Sequence, residues 1–392
     1  MQSLASGERK IVHRGGFHAR YLLSGHLAYV HQGTLFVTPF DLDRLETTGA
    51  PAPLLENVTA SALRGAAQYA VSGDGTLVYV PGEINIGMTI DWMDREGRRE
   101  PLRSQPGLYS NPRFSPDGRR LAVSGDGDVW VYDWERDTMS RLTFAAERAA
   151  TPVWTPDGRR IVFRSSRDDP NSWSLYWKRA DGTGDVQRLT ESESRIQIPG
   201  SWHPSGKLLA FQELSEESWD VRILPMEGDE SSGWSPGQAT TFLDEPFHER
   251  HPSFSHDGRF LAYASDESGR YEVYVQSFPG PGGKWLISTN GGDWPVWSPN
   301  GEELFYRSAD KSRIMVSPYV VEGETFRQDQ ARLWSEGAFM PVIFSGNGNF
   351  DLHPDGSRFA VLLYGDAELK RDKLTFVFNF FEELERLVPT DN

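Results

Sequence analysis

Short apolar runs separated by Pro, Asp and Gly punctuate this chain, and one such unit recurs. It reads Pro112-Arg-Phe-Ser-Pro-Asp-Gly-Arg-Arg-Leu-Ala-Val123. Close copies are Pro152-Val-Trp-Thr-Pro-Asp-Gly-Arg-Arg-Ile-Val-Phe163 and Pro252-Ser-Phe-Ser-His-Asp-Gly-Arg-Phe-Leu-Ala-Tyr263. Looser ones begin at Ser201 and Pro295, and the faintest at Asp351, Val71 and Tyr21. In each, a large apolar residue such as Phe114 sits on a short strand. Pro-Asp-Gly then makes a tight turn, because Pro presets φ, Asp bonds its own backbone and Gly accepts positive φ. The return strand, Arg119-Arg-Leu-Ala-Val123, is rich in apolar residues, as an inner strand buried on both faces should be. A third strand follows (Asp128-Val-Trp-Val-Tyr-Asp133 or Glu272-Val-Tyr-Val275), then a fourth (Ser140-Arg-Leu-Thr143 or Gln187-Arg-Leu-Thr190).

The eight turn glycines, Gly25, Gly75, Gly118, Gly158, Gly206, Gly258, Gly301 and Gly356, are spaced by 40 to 55 residues. That is close to the ~40–50 residues of one four-stranded propeller blade. Solenoid repeats are mostly shorter or helical. The pattern therefore predicts one all-β domain over 1–392, an eight-bladed β-propeller of four-stranded antiparallel blades. The blades are expected near 17–58, 66–103, 110–144, 150–191, 197–243, 250–289, 293–335 and 348–381. Residues 8–13 read as a strand that completes the last blade, closing the ring by pairing the two termini and hiding a sheet edge. A short helix is expected over 382–388.

The Ser-Pro-Asp-Gly phrase resembles TolB-like propeller repeats. Gly65-Ala-Ala-Gln-Tyr-Ala-Val-Ser72, Ser265-Asp-Glu-Ser-Gly-Arg-Tyr-Glu-Val-Tyr-Val275 and Phe378-Asn-Phe-Phe-Glu-Glu-Leu384 resemble the C-terminal propeller region of bacterial Ser/Thr kinases of eukaryotic type. The resemblance implies the fold and an accessory binding or sensing role. The sequence carries no glycine-rich ATP loop, His-Arg-Asp loop or Asp-Phe-Gly, so it holds no kinase motif.

Composition narrows the chemistry. The 392 residues carry 40 basic and 56 acidic side chains, a formal charge of −16, which repels phosphate backbones and argues against nucleic acid as a partner. With no cysteine, disulfides, thiolate metal sites and cysteine nucleophiles are excluded, and the redox compartment stays open. The longest apolar stretch, Leu374–Phe381, is far below the ~20 residues of a membrane-spanning helix. Met1–Lys10 has no apolar core like that of a secretory signal. A monomer without membrane insertion is expected, and its location is left open.

Gly233-Trp-Ser-Pro-Gly237 spells a nucleophile elbow, but no helix follows and the segment reads as an inter-strand loop. His248-Glu-Arg-His251 lacks the i, i+4 spacing of a zinc-binding helix. No catalytic residue, metal ligand or cofactor is assigned, although a divalent cation stays compatible with the letters. Glu213–Glu249 holds ten acidic residues against Arg222, a stretch that could attract a cation or basic partner and otherwise reads as solvated loops.

The repeat itself points to a site. Seven residues before each turn glycine the chain enters the innermost strand at the channel mouth. Those positions are His18, Gln68, Asn111, Thr151, Pro199, His251, Trp294 and Asn349, with Arg20, Arg113 and Asp351 two residues beyond three of them. The expected ligand-binding set is His18, Arg20, Gln68, Asn111, Arg113, His251, Trp294 and Asn349, meeting a protein, peptide or glycan at that mouth. The competing possibilities are a hydrated channel, or a hydrolase or lyase built on the same ring.

Overall fold

The computed structural model describes residues 7, 10–61, 65–82, 87–144, 148–191, 196–215, 218–243, 245–280, 282–323, 325–335, 348–364 and 373–389. The chain divides into two compact units, one of residues 86–365 and one of residues 1–85 with 366–392. Among the described residues no helix is long and apolar enough to cross a membrane.

The larger unit is a propeller of six antiparallel sheets. Five follow the chain: 110–141, 149–188, 196–243, 249–286 and 292–333. The remaining sheet, counted here as the first blade, joins both ends of the unit. Phe350–Leu352 and Phe359–Tyr364 pair onward to Met88–Met93 and Arg99–Gly107, with Trp92 opposite Ala360. Each seam between neighbouring sheets has its own apolar cluster. Trp92, Phe114 and Leu362 fill the first, Trp154 and Phe163 the second, Trp177, Trp202 and Phe211 the third. Phe254 and Tyr263 follow, then Phe260, Trp297 and Phe326. Phe305, Phe350 and Phe359 pack with Met93 and bring the succession back to the first sheet. Each such buried side chain stabilises the seam by about 1.5–3 kcal/mol.

The recurring phrase explains itself in these sheets. The Ser115 hydroxyl bonds Asp117 Oδ1, which also accepts the Arg119 N–H (3.1 Å), while Gly118 takes a φ of 72° that the turn requires. Thr155–Asp157, Ser255–Asp257 and Ser298–Asn300 repeat the contact at 2.6–2.7 Å. Indoles and guanidinia stitch the blades together. Trp154 Nε1 donates to the Arg113 carbonyl and Trp297 Nε1 to the Ser253 carbonyl (2.9 Å each), and Arg120 lies 4.7 Å over the Trp154 ring.

The smaller unit has a different plan. Its five-stranded sheet runs from Phe17 to Leu55, and a three-stranded sheet pairs Thr375–Val377 with Leu77–Tyr79 and Tyr69–Val71. The helix Phe380–Leu387 buries Phe380 and Leu384 in a core with Leu22, Val30, Val37 and Leu77. The His26 ring, fully buried, bonds the Val388 carbonyl at 2.7 Å.

The described strands depart from three expectations. Among the described residues the larger unit, 86–365, holds six sheets, where eight blades over 1–392 were expected. The repeat expected over 66–103 splits: its first strands stay in the smaller unit, and Met88–Gly107 completes the sheet begun by Phe350–Tyr364. Residues 10–13 form no strand, and positions 8 and 9 lie outside the described residues. The physical reason lies four residues before each turn glycine. In the six blades that residue (Phe114, Trp154, Trp202, Phe254, Trp297 or Leu352) is only 4–8% exposed, wedged into a seam. Tyr21 at the same place is 38% exposed, and Val71, half-buried, packs into the smaller unit's own core.

Candidate functional site

Each of the five sequential blades begins with a strand whose register slips near its middle. The shifts fall between Ser110 and Arg113, Ala150 and Val153, Pro199 and Ser201, Arg250 and Ser253, and Asp293 and Val296. At four of these bulges a non-glycine residue adopts positive φ: Asn111 (53°), Thr151 (54°), His251 (56°) and Trp294 (56°). Left-handed backbone costs about 1–2 kcal/mol per L-residue, more for a branched one such as threonine. Each is followed by proline, which has no N–H to leave unpaired. Hydrogen bonds from other strands hold the strained residues. The Thr151 N–H donates to Ser124 Oγ (2.9 Å) and the His251 N–H to Gln212 Oε1 (2.6 Å). The Asn111 N–H donates to the Gly348 carbonyl (2.9 Å), whose own N–H donates back to Asn111 Oδ1 (2.7 Å). Strain over-determined in this way is a mark of functional positions.

The bulges surround a cavity of about 290 Å³ lined by Asn111, Thr151, Pro199, His251 and Trp294, and also by Arg113, Gln212 and Asp351. Its electrostatics are organised around Trp294, which is 5% exposed. The His251 ring lies 4.3 Å from the indole, centroid to centroid, and the guanidinia of Arg113 and Arg307 lie 5.1 and 5.6 Å from it. Both cations are paired. Arg307, 1% exposed, makes a two-pronged bond to Asp293 (2.6 and 2.8 Å) and reaches Asn349 Oδ1 at 3.3 Å. Arg113 bonds Asp351 at 3.1 Å, and the other Asp351 oxygen accepts the Phe114 N–H at 2.8 Å. Burial would raise Asp293, yet the Arg307 pairing holds it below the usual carboxylate range. For Asp351 burial wins over Arg113 and its carboxyl is raised.

His251 is the unsatisfied member. Among the described residues neither ring nitrogen has a hydrogen-bond partner, and neither has the Trp294 indole N–H. Burial, helped by Arg307, Arg250 and Arg113 against Asp293, pulls its pKa down to about 3. The imidazole is therefore neutral at physiological pH, one nitrogen donating and the other accepting. Buried polar groups without partners are rare in native structures, and here four such atoms, Trp202 Nε1 being the fourth, belong to residues lining one cavity.

Of the eight residues expected at the mouth, Asn111, Arg113, His251 and Trp294 line the cavity, and Asn349 joins them through Arg307. His18, Arg20 and Gln68 belong to the smaller unit. His18 does repeat the bulge, with φ 55°, and its ring meets Tyr69 edge-on at 5.3 Å. Trp294 is not the open stacking platform its position suggested, because its faces are taken by His251 and two arginines. The sequence reading missed Arg307 and Asp293. The available signal was a cation inside the apolar strand Glu303-Leu-Phe-Tyr-Arg-Ser308. Ser235 lies on the exposed strand Gly233–Pro236, a hairpin arm rather than a loop or an elbow, with Trp234 opposite Gly228.

Residues 88–246 match the family described as the TolB beta propeller domain. An uncharacterised protein of Agrobacterium fabrum is 22% identical over 283 residues, covering 67% of this chain and 87% of its own length. An uncharacterised peptidase, YuxL of Bacillus subtilis, is 27% identical over 205 residues, 45% of this chain but only 29% of the peptidase. Among solved structures, the putative TolB from Agrobacterium tumefaciens aligns with a TM-score of 0.55 at 18% identity, covering 71% of this chain and 98% of that one. The propeller is thus TolB-like in repeat and fold.

Proposed function

We propose that the chain is a non-catalytic binding module whose propeller channel receives an extended peptide segment of a partner protein, as a sensor or scaffold. The observation that carries this is the trio of buried, unpaired polar atoms on His251 and Trp294 inside a cavity walled by prolines and aromatics. Mostly apolar walls with a few placed polar groups are the usual make-up of a ligand site. A peptide backbone offers both complements, a carbonyl for the donors and an N–H for the accepting imidazole nitrogen. Proline-lined walls suit an extended chain better than a sugar's dense hydroxyls. The resemblance to the accessory propellers of bacterial Ser/Thr kinases supports a signalling context. The module acts as a monomer, without nucleic acid or membrane insertion. General acid–base work needs a pKa near the working pH, and an imidazole at about 3 is suited instead to hydrogen bonding.

Selection from a displayed random-peptide library, followed by calorimetry of the winners, tests this. Peptides should bind the wild type and lose at least tenfold in affinity to His251→Phe, which keeps the ring and removes both nitrogens. Equal binding to the two proteins, or cleavage of the bound peptides, would overturn the proposal.

A further inference from the structure

The acidic stretch that ends at Glu249 is not merely a set of solvated loops. Glu249 opens the inner strand of the fifth blade and is 1% exposed, and its Oε2 has no hydrogen-bond partner among the described residues. Its neighbours are held close by the backbone. The His248 N–H donates to Asp266 Oδ1 (2.9 Å), and the Trp219 N–H donates to His248 Nδ1 (3.2 Å), which places Asp220 in the same patch. Burial pushes the Glu249 carboxyl up to about 8, and Asp220, Glu245 and Asp266 add to the rise. Asp220 and Asp266 are half-buried and Glu245 is exposed, so all three are open to solvent.

Among the described residues Lys284 acts on Glu249 against the carboxylates, and its ammonium is itself bonded to Glu267. The guanidinium of Arg250 is spent on two aromatic faces, Trp219 at 5.2 Å and Tyr271 at 5.1 Å. Among the described residues, no three acidic or histidine side chains are placed to hold a metal ion. None of these residues lines the channel cavity. A carboxyl that is desolvated, unpaired and crowded by like charges gains most from an incoming positive group that can also donate hydrogen bonds.

We infer that the seam between the fourth and fifth blades is a second binding site, which takes an organic cation (a guanidinium or an ammonium) from a partner polypeptide through Asp220, Asp266, Glu245 and Glu249. The source is a basic side chain or a free amino terminus. Binding draws Glu249 into its ionised form, so a proton leaves as the cation arrives.

The test is calorimetry at pH 7 in phosphate and in Tris, whose different ionisation heats report proton release. The probes are acetyl-Gly-Arg-Gly-amide, its norleucine counterpart, and Gly-Gly-Gly-amide with a free amine. The arginine or the free-amine peptide should bind with release of about one proton, and whichever does identifies the source. Glu249→Gln should abolish the release and weaken binding at least fivefold, and Asp220→Asn should weaken it without abolishing the release. His251→Phe should change it less than twofold, which separates this site from the channel. Equal binding of the norleucine peptide, proton release that persists in Glu249→Gln, or saturation by calcium with no response to either cationic peptide would overturn the inference.

Discussion

The segments 17–31 and 110–125 spell the same device with different consequences. Both open with a strand that slips register around a residue of positive φ, His18 at 55° and Asn111 at 53°. Both turn at a glycine of positive φ, Gly25 at 80° and Gly118 at 72°. Yet the second belongs to a blade in a ring of seams, and the first belongs to a sheet covered by a helix of its own unit. The separating feature is the side chain four residues before the glycine. Phe114 is 7% exposed and stacks on Trp92 of the next sheet at 5.4 Å, whereas Tyr21 remains 38% exposed. The turn and bulge are thus local properties of the letters, while the residue four places before the glycine is buried in a seam in each ring sheet and exposed at Tyr21.

That contrast can be broken at its strongest point. Trp154→Ala removes a wedge and its bond to the Arg113 carbonyl, and should cost the propeller about 3–5 kcal/mol in chemical denaturation. Tyr21→Ala, the matching change in the smaller unit, should cost under about 1 kcal/mol. Comparable losses would show that the wedge position does not distinguish the units. Leu384→Ala sharpens the comparison from the other side, because that fully buried helix residue takes the place of a neighbouring blade. It should cost about 2–4 kcal/mol. Hydrogen exchange should show lost protection in the 17–79 strands and little change in 110–333.

The same comparison explains what could be read from letters. The turn, the bulge and the strand order within a blade are short-range, so counting seven places back from the turn glycine reached Asn111, His251 and Trp294, which share positive φ and line one cavity. The blade count depended on which strands pair across hundreds of residues. Nothing local in Met88–Met93 says that its partner is Phe359–Tyr364 rather than the repeat just before it. Charge pairing was hidden for the same reason. Arg113 read as a free ligand-binding cation, but it is committed to Asp351, 238 positions away. The buried carboxyl of Glu249 looked like one more solvated acid in an acidic run, because burial is set by the seam and not by the sequence around it.

The smallest expected effect sets His18 against His251, two residues at the same repeat position. Burial pulls His251 down to about 3, and a histidine in the unfolded chain titrates near 6.5. Its contribution is therefore complete above pH 6.5 and drains away as pH falls toward 3, because only the unfolded chain gains the proton in that range. At roughly 1.4 kcal/mol per pH unit, the propeller should lose about 2 kcal/mol from this residue by pH 5, and His251→Phe should remove that slope. His18 is lowered in the same direction, by partial burial and by Arg20, with the Gly65 backbone opposing. His18→Phe should therefore flatten the acid dependence of the smaller unit in the same window, but by less. Native-state hydrogen exchange between pH 7 and pH 5 separates the two units. A steeper change for His18→Phe than for His251→Phe would mean that the channel histidine is not the more deeply desolvated of the pair, and the cavity would lose its unsatisfied imidazole.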